Sequence, residues 1–214
     1  MSITDYLTAS PQPLGTVFVV DDDEAVRDSI RWLLESSNYK VELFDSGESF
    51  MTHYQPDQVG VLLLDVRMNG MSGLEVQDHL IARKSDLPII MLTAYGDVQM
   101  AVTALKKGAV DFIEKPFDHA ALRQLVEKML VEAVRRRSQN ERELIGRQKM
   151  AKLTPRERQV LERIVSGRLN KQIADDLGIS IKTVEAHRAS IMDKTASGTV
   201  ADLMRVVMDS GERL

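Results

Sequence analysis

The sequence predicts a doubly wound α/β domain followed by a small all-α one, on three observations. Five short apolar runs alternate with amphipathic stretches through the first two thirds of the chain. A highly charged stretch with few apolar anchors follows. The remainder carries four closely spaced helix starts and stops and no strand-like run. Near-continuous apolar strands separated by helices call for parallel crossovers with both sheet faces covered.

Residues 1–15, MSITDYLTASPQPLG, hold turn residues without periodicity and read as a flexible leader. Strand-like runs then fall at 16–20 (TVFVV), 39–44 (YKVELF), 59–64 (VGVLLL), 88–92 (PIIML) and 110–113 (VDFI). Helix-like stretches lie at 24–37, 47–54, 73–84, 97–107 and 118–137. Five such units suit a five-stranded parallel sheet of flavodoxin-like order 2-1-3-4-5, spanning 16–133. The stretch 134–152, VRRRSQNERELIGRQKMAK, contains strong helix formers and a single glycine, Gly146, and reads as a helical linker that continues the fifth helix. From 153 the texture changes. Thr154 is placed as an N-cap, with Pro155 in the first turn and Glu157 three residues on, and the helix stops at Gly167. NKQIADDLG is a second helix ending at Gly178, SIKTVEAHRASIMDK a third capped by Ser180, and TVADLMRVVMDSG a fourth, so 153–214 forms a small all-α domain.

Composition narrows the classes. The 214 residues include no cysteine, which excludes disulfides and zinc–thiolate sites. No apolar stretch approaches the roughly 20 residues of a membrane span, and the N-terminus lacks the layout of a signal peptide, so a cytoplasmic protein with no membrane partner is expected. The net charge of −4 is unevenly distributed: residues 1–119 hold 19 acids against 9 Lys and Arg, residues 120–214 hold 13 against 19. An acidic front and a basic back point the back towards a polyanion.

Ligands of such sheets bind outside the carboxyl ends of the strands, where the order reverses. Strand one ends in Asp21 and Asp22, strand three in Asp65, strand four in Thr93 and strand five in Lys115. These strands are neighbours in the expected order, so three acids, a hydroxyl and an ammonium converge on one rim. Crowded carboxylates need a cation, and three of them with water and a backbone carbonyl make a hard oxygen site suited to Mg²⁺. Asp65 stands alone at the centre, laid out for a carboxylate that attacks phosphorus while Lys115 and the metal stabilise the phosphoryl oxygens and Thr93 bonds one of them. Asp23 and Glu24 read as helix caps. His53, His79 and His119 have no ligand spacing.

The stretches VVDDDE, LLLDVRM, LTAYGD and DFIEKPF resemble, in this order and spacing, the receiver domain of two-component response regulators over about residues 15–135. The resemblance implies phosphotransfer from a histidine kinase to Asp65. It implies Mg²⁺ held by Asp22, Asp65 and the backbone carbonyl of Arg67, with Asp21 acting through water. Thr93 and Phe112 would be the switch pair, and Lys115 would contact the phosphoryl group and precede a cis peptide at Pro116. After DVRM such domains usually carry proline; here Asn69 stands, which would loosen the loop beside the metal.

The helices over 169–177 and 180–194 form a helix-turn-helix. The second would enter a DNA major groove, offering Lys182, Thr183, Glu185, His187, Arg188 and Lys194, while Asn170 and Lys171 reach the phosphate backbone. Ile173, Ala174, Leu177, Ile179, Val184 and Ile191 are assigned to the core of the motif. The stretch from LTPRERQVLERIVSG through SIMDK resembles the DNA-binding domain of LuxR/NarL-type transcription factors, and the whole chain resembles a FixJ-type response regulator. That resemblance implies a phosphorylation-dependent homodimer on double-stranded promoter DNA, with RNA polymerase a further candidate partner and activation the family's usual direction. A second departure is Thr195, where a large apolar residue is common, which would loosen the junction with the last helix. The DDDEA stretch also resembles the nucleophile strand of haloacid dehalogenase-type phosphatases, but Asp65 and Lys115 at other strand ends and the lack of a cap domain argue against an enzyme. The chemistry expected is at most self-catalysed phosphotransfer and autodephosphorylation.

Overall fold

The protein's structure is a computed structural model that describes residues 15–94 and 98–212. The leader expected over 1–15 lies outside the described residues except for Gly15, as do Tyr95, Gly96 and Asp97 of the LTAYGD stretch. The chain divides into two compact units, Met1–Arg137 and Ser138–Leu214.

In the first unit, β1 (Thr16–Val20), β2 (Lys40–Phe44), β3 (Gly60–Asp65), β4 (Ile89–Thr93) and β5 (Asp111–Glu114) form one sheet in the order β2-β1-β3-β4-β5. Every pairing is parallel. Between the strands run α1 (Glu24–Glu35), α2 (Gly47–His53), α3 (Gly73–Ala82) and α4 (Val98–Lys106), with α5 (His119–Ala151) after β5. The sheet has the order and direction expected from the alternating runs.

Side chains alternate across a strand, so the central runs divide between two cores. Phe18, Val20, Leu62, Leu64 and Met91 pack on one face with Phe50 of α2, Val76 and Leu80 of α3 and Ala104 of α4. Val17, Val19, Val61, Leu63, Ile90 and Leu92 pack on the other with Ile30 and Leu34 of α1 and Leu122, Val126, Met129 and Leu130 of α5. A slip of one residue in any central strand would exchange the two sets, which fixes the register and, with it, the height at which each strand ends.

Helix α5 is one element of 33 residues and takes in most of the stretch read as a linker. In the second unit, a Cβ on Gly146 would come within 2.7 Å of the Ser210 backbone nitrogen, so glycine lets α5 run close to the end of α9 (Val200–Ser210). The unit is completed by α6 (Pro155–Val165), α7 (Asn170–Leu177) and α8 (Ile181–Thr195). Thr154 and Glu157 form the capping box that opens α6, and Ser180 caps α8 through the Thr183 backbone N–H. Ile173, Ala174, Val184 and Ile191 are buried in one core with Val160, Leu161 and Leu203, and Leu177 and Ile179 pack against it.

Candidate functional site

The parallel sheet places the ends of β1, β3, β4 and β5 side by side, and the polar residues there meet. Asp21 is fully buried, Asp65 and Thr93 nearly so, and Asp22 is exposed. One carboxylate oxygen from each of Asp21, Asp22 and Asp65 lies within 4.8 Å of the others. The Lys115 ammonium donates to Asp21 Oδ2 at 2.6 Å and lies 3.2 Å from Asp65 Oδ1. Its backbone N–H bonds the Thr93 carbonyl at 2.7 Å, and the Lys115–Pro116 peptide is cis. On the far side of Asp65, a Cβ on Gly73 would collide with the Asp65 carbonyl oxygen, so glycine brings α3 up against the strand end.

Burial raises the Asp65 carboxyl to about 6, with the Asp21 charge adding to it and Lys115 opposing it. Burial alone would lower Lys115, but its bond to Asp21 and the charges of Asp21 and Asp65 hold its ammonium above the ordinary lysine range. The Lys115 ammonium is thus shared between two buried acids with a third beside them. The donor set, three hard oxygens held close together, fits a cation such as Mg²⁺.

Asp23 accepts from the Ala25 backbone N–H at 2.9 Å and caps α1, as its position suggested. The Thr93 hydroxyl donates to the Ala94 carbonyl at 3.3 Å. Phe112 is paired with Met91 across β4 and β5, and so faces the same side of the sheet as Thr93 two residues on; it is half-buried against the core there. Arg67 sits exposed, two residues beyond Asp65. Asn69, in the same loop, donates to Asp22 Oδ2 from its backbone N–H at 3.1 Å and from its carboxamide at 2.8 Å. The loop expected to be loose is therefore tied across to β1.

The second site is the outer side of α8. Lys182 and Glu185 are exposed there, together with Ile181, Ala186 and Ala189, which an inventory of polar residues passes over. His187 and Arg188 are half-buried on its flanks, and the Thr183 hydroxyl is bonded to Ser180 at 2.8 Å. At the start of α7, Lys171 is exposed and Asn170 half-buried. Lys194, assigned to the DNA, bonds both oxygens of buried Glu157 through its ammonium, at 2.8 and 2.7 Å, and so ties α8 to α6. The Ser190 hydroxyl and the Thr154 backbone N–H donate to the same carboxylate at 2.6 and 2.7 Å. Thr195 is also fully buried, and its hydroxyl donates to the Ile191 carbonyl at 2.7 Å. The positive charge of the back half lies largely outside this helix. Residues 134–152 hold 7 Lys and Arg against 2 acids, whereas 153–214 hold 10 against 9. Arg135, Arg136 and Arg142 are exposed on α5.

An acidic rim with a bridging lysine on a 2-1-3-4-5 sheet, in one chain with a helix-turn-helix, is the make-up of a signal receiver coupled to a DNA reader. Residues 17–127 match the response regulator receiver domain, and residues 151–207 match the bacterial regulatory proteins of the luxR family. The transcriptional regulatory protein FixJ of Azorhizobium caulinodans is 44% identical over 196 residues, covering 91% of this chain and 92% of that one. The transcriptional regulatory protein TdiR of Thauera aromatica is 43% identical, over 91% and 86% of the two chains. Among solved structures, the response regulator StyR aligns with a TM-score of 0.81 at 44% identity, over 90% of this chain and 98% of that one. Full-length FixJ from B. japonicum aligns at 0.56 and 37% identity, over 93% and 98%. The chain belongs to the two-component response regulators, with a receiver domain and a LuxR-type DNA-binding domain. Its relatives are transcriptional regulators, and among the described residues no helix is long and apolar enough to cross a membrane.

Proposed function

We propose that the chain is a cytoplasmic transcription factor that takes a phosphoryl group onto Asp65 from a histidine kinase and, once modified, dimerises on promoter DNA to activate transcription. The observation that carries this reading is the Lys115 ammonium set between Asp21 and Asp65 at adjoining strand ends. Mg²⁺ held by Asp21, Asp22, Asp65 and the Arg67 carbonyl would supply the charge that neutralises the phosphoryl oxygens. A carboxylate oxygen of Asp65 attacks phosphorus in line with the phosphohistidine. The O–P bond forms as the P–N bond breaks, and the imidazole leaves with the bonding pair and takes up a proton. Lys115 then turns part of its charge from Asp21 to the new phosphoryl group. Thr93 exchanges its bond to the Ala94 carbonyl for one to a phosphoryl oxygen. The space it leaves lets Phe112, on the same face of the sheet, turn inward, and the surface over 97–137 becomes the dimer face, presenting two α8 helices to paired half-sites. RNA polymerase would be the partner of the DNA-bound dimer.

Incubation with acetyl phosphate and Mg²⁺ tests the first step. The parent and Asp23→Asn should both take up base-labile phosphate and Asp65→Asn none; uptake by Asp65→Asn would remove Asp65 from its role. Sedimentation with and without beryllofluoride, alongside DNA titration, tests the second. Tighter DNA binding at an unchanged monomer mass would discard the dimer route in favour of release of the DNA-binding domain from the receiver.

A further inference from the structure

The three acids of the rim are held in place by different means. Asp21 is anchored by Lys115 and by the Asp23 backbone N–H, which donates to its Oδ1 at 3.0 Å. Asp65 is walled in at the end of β3 and faces Lys115. Asp22 is exposed, and among the described residues no cation is paired with it. An exposed carboxylate beside two others should swing out to water, because that separates like charges at no cost in solvation. It does not: its oxygen remains in the cluster. Among the described residues its two donors both come from Asn69, and both fall on Oδ2. Among the described residues no hydrogen bond reaches Oδ1, which leaves that oxygen to a metal.

Asn69 is itself fixed from the other side. The Met71 backbone N–H donates to Glu48 Oε1 of α2 at 2.8 Å, and the Gly73 N–H to the Val66 carbonyl at 3.1 Å. The loop after β3 is thus pinned at both ends, and Asn69 reaches from it to β1. The chemistry also selects this side chain. A proline at 69 would have neither N–H to give, an alanine would keep only the backbone bond, and an aspartate would add a fourth negative charge.

We propose that Asn69 is a positioning residue for the metal site: by donating twice to Asp22 Oδ2 it holds the one exposed acid in the cluster before the cation arrives. The inference rests on the reading of the rim as a Mg²⁺ site. Asn69 acts through Asp22 alone, so its contribution exists only while Asp22 is present.

Calorimetric titration of Mg²⁺ into the full chain without phosphodonor tests it, on the parent, Asn69→Ala, Asn69→Pro, Asp22→Ala and the double variant Asn69→Ala/Asp22→Ala. Asn69→Ala should bind Mg²⁺ about three- to tenfold more weakly, at or below the lower bound of what outer-shell partners contribute because both bonds are exposed. Asn69→Pro should lose more. In the Asp22→Ala background the change at 69 should have no effect. Asn69→Ala binding as tightly as the parent, or losing the same factor without Asp22, would overturn the assignment. A parent that takes up no Mg²⁺ would overturn the metal reading itself and this role with it, and that failure is visible before any residue at 69 is changed.

Discussion

Two buried carboxylates, one in each unit, are driven in opposite directions. Asp65 in the receiver is raised to about 6, and Glu157 in the DNA-binding domain is lowered to about 2. Burial acts on both in the same sense, upward. The partners differ. Glu157 accepts from Lys194, Ser190 and Thr154, and together these bonds outweigh its burial. Asp65 shares Lys115 with Asp21 and has two acids for neighbours. A carboxylate that is fully satisfied stabilises a fold; one left short of positive charge is poised to take a cation or an electrophile. The contrast sets an acid whose bonds hold the second unit together against one that the first unit leaves short of positive charge.

Substitution should separate the two by sign. Glu157→Gln removes a charge that three donors were built around, and should destabilise the second unit by about 1–3 kcal/mol at pH 7. The folded carboxyl sits near 2 against an ordinary 4.5, so its stabilisation is complete above about pH 4.5 and lost as pH falls towards 2. The variant and the parent should converge in acid. Asp65→Asn should act the other way. Here the folded carboxyl, near 6 against 3.8, favours the protonated state, so the parent loses stability as pH rises through that window. The variant should gain about 1–2 kcal/mol at pH 7 without Mg²⁺, a figure kept low because the rim is open to water beside Asp22, and the gain should fade below about pH 4. Hydrogen exchange against pH, read in 155–195 for one and in the strands for the other, checks both signs. Destabilisation by Asp65→Asn at neutral pH would show that the receiver acid is structural as well.

A smaller effect of the same kind belongs to Asp22. Asp22→Ala removes one of three like charges from the rim and leaves Lys115 to the two that remain. The metal-free protein should melt at the same temperature or up to a few degrees higher, while Mg²⁺ uptake falls. A marked drop in the metal-free midpoint would make Asp22 a cap.

Much of this was legible beforehand because it rests on local patterning. Apolar runs such as TVFVV and VGVLLL announced the strands, and their alternation with helices suited a doubly wound sheet of order 2-1-3-4-5. Once the order is given, residues just past the strand ends must share a rim, so Asp21, Asp22, Asp65, Thr93 and Lys115 came together on topology alone. The bonds that run between distant side chains were not legible. Glu157 was visible as the partner of Thr154 three residues away, but Ser190 and Lys194 lie 33 and 37 residues on, and only the packing of α8 on α6 brings them in. Hence Lys194 was assigned to DNA. Asn69 and Asp22 are 47 residues apart, and a missing proline suggested looseness where the structure has two hydrogen bonds. Net charge was too coarse in another way: summed over 120–214 it pointed the back of the chain towards a polyanion without saying which element carries it, and most of it sits on α5.

The smallest predicted effects are on DNA affinity, and they sort lysines and arginines by what each charge is doing. Arg188→Ala, if that residue turns from the flank of α8 to a base edge, should cost about 1–3 kcal/mol on the specific site and little elsewhere. Lys182 is exposed at the start of α8, so Lys182→Ala should weaken all sequences alike and flatten the salt dependence by about one unit of slope. Replacing Arg135 and Arg136 together should flatten it by up to about two units with no loss of sequence discrimination, if the charge on α5 reaches phosphates. Lys194→Ala removes the same charge from the same helix as Lys182→Ala, but its ammonium is already neutralised by Glu157. It should leave the slope nearly unchanged and lower the stability of the second unit instead, as Glu157→Gln does. Titration of a labelled duplex across a range of salt, with the melting midpoint of each variant measured alongside, separates the two lysines. A Lys194→Ala protein of parental stability and a flatter slope would return that residue to the DNA face.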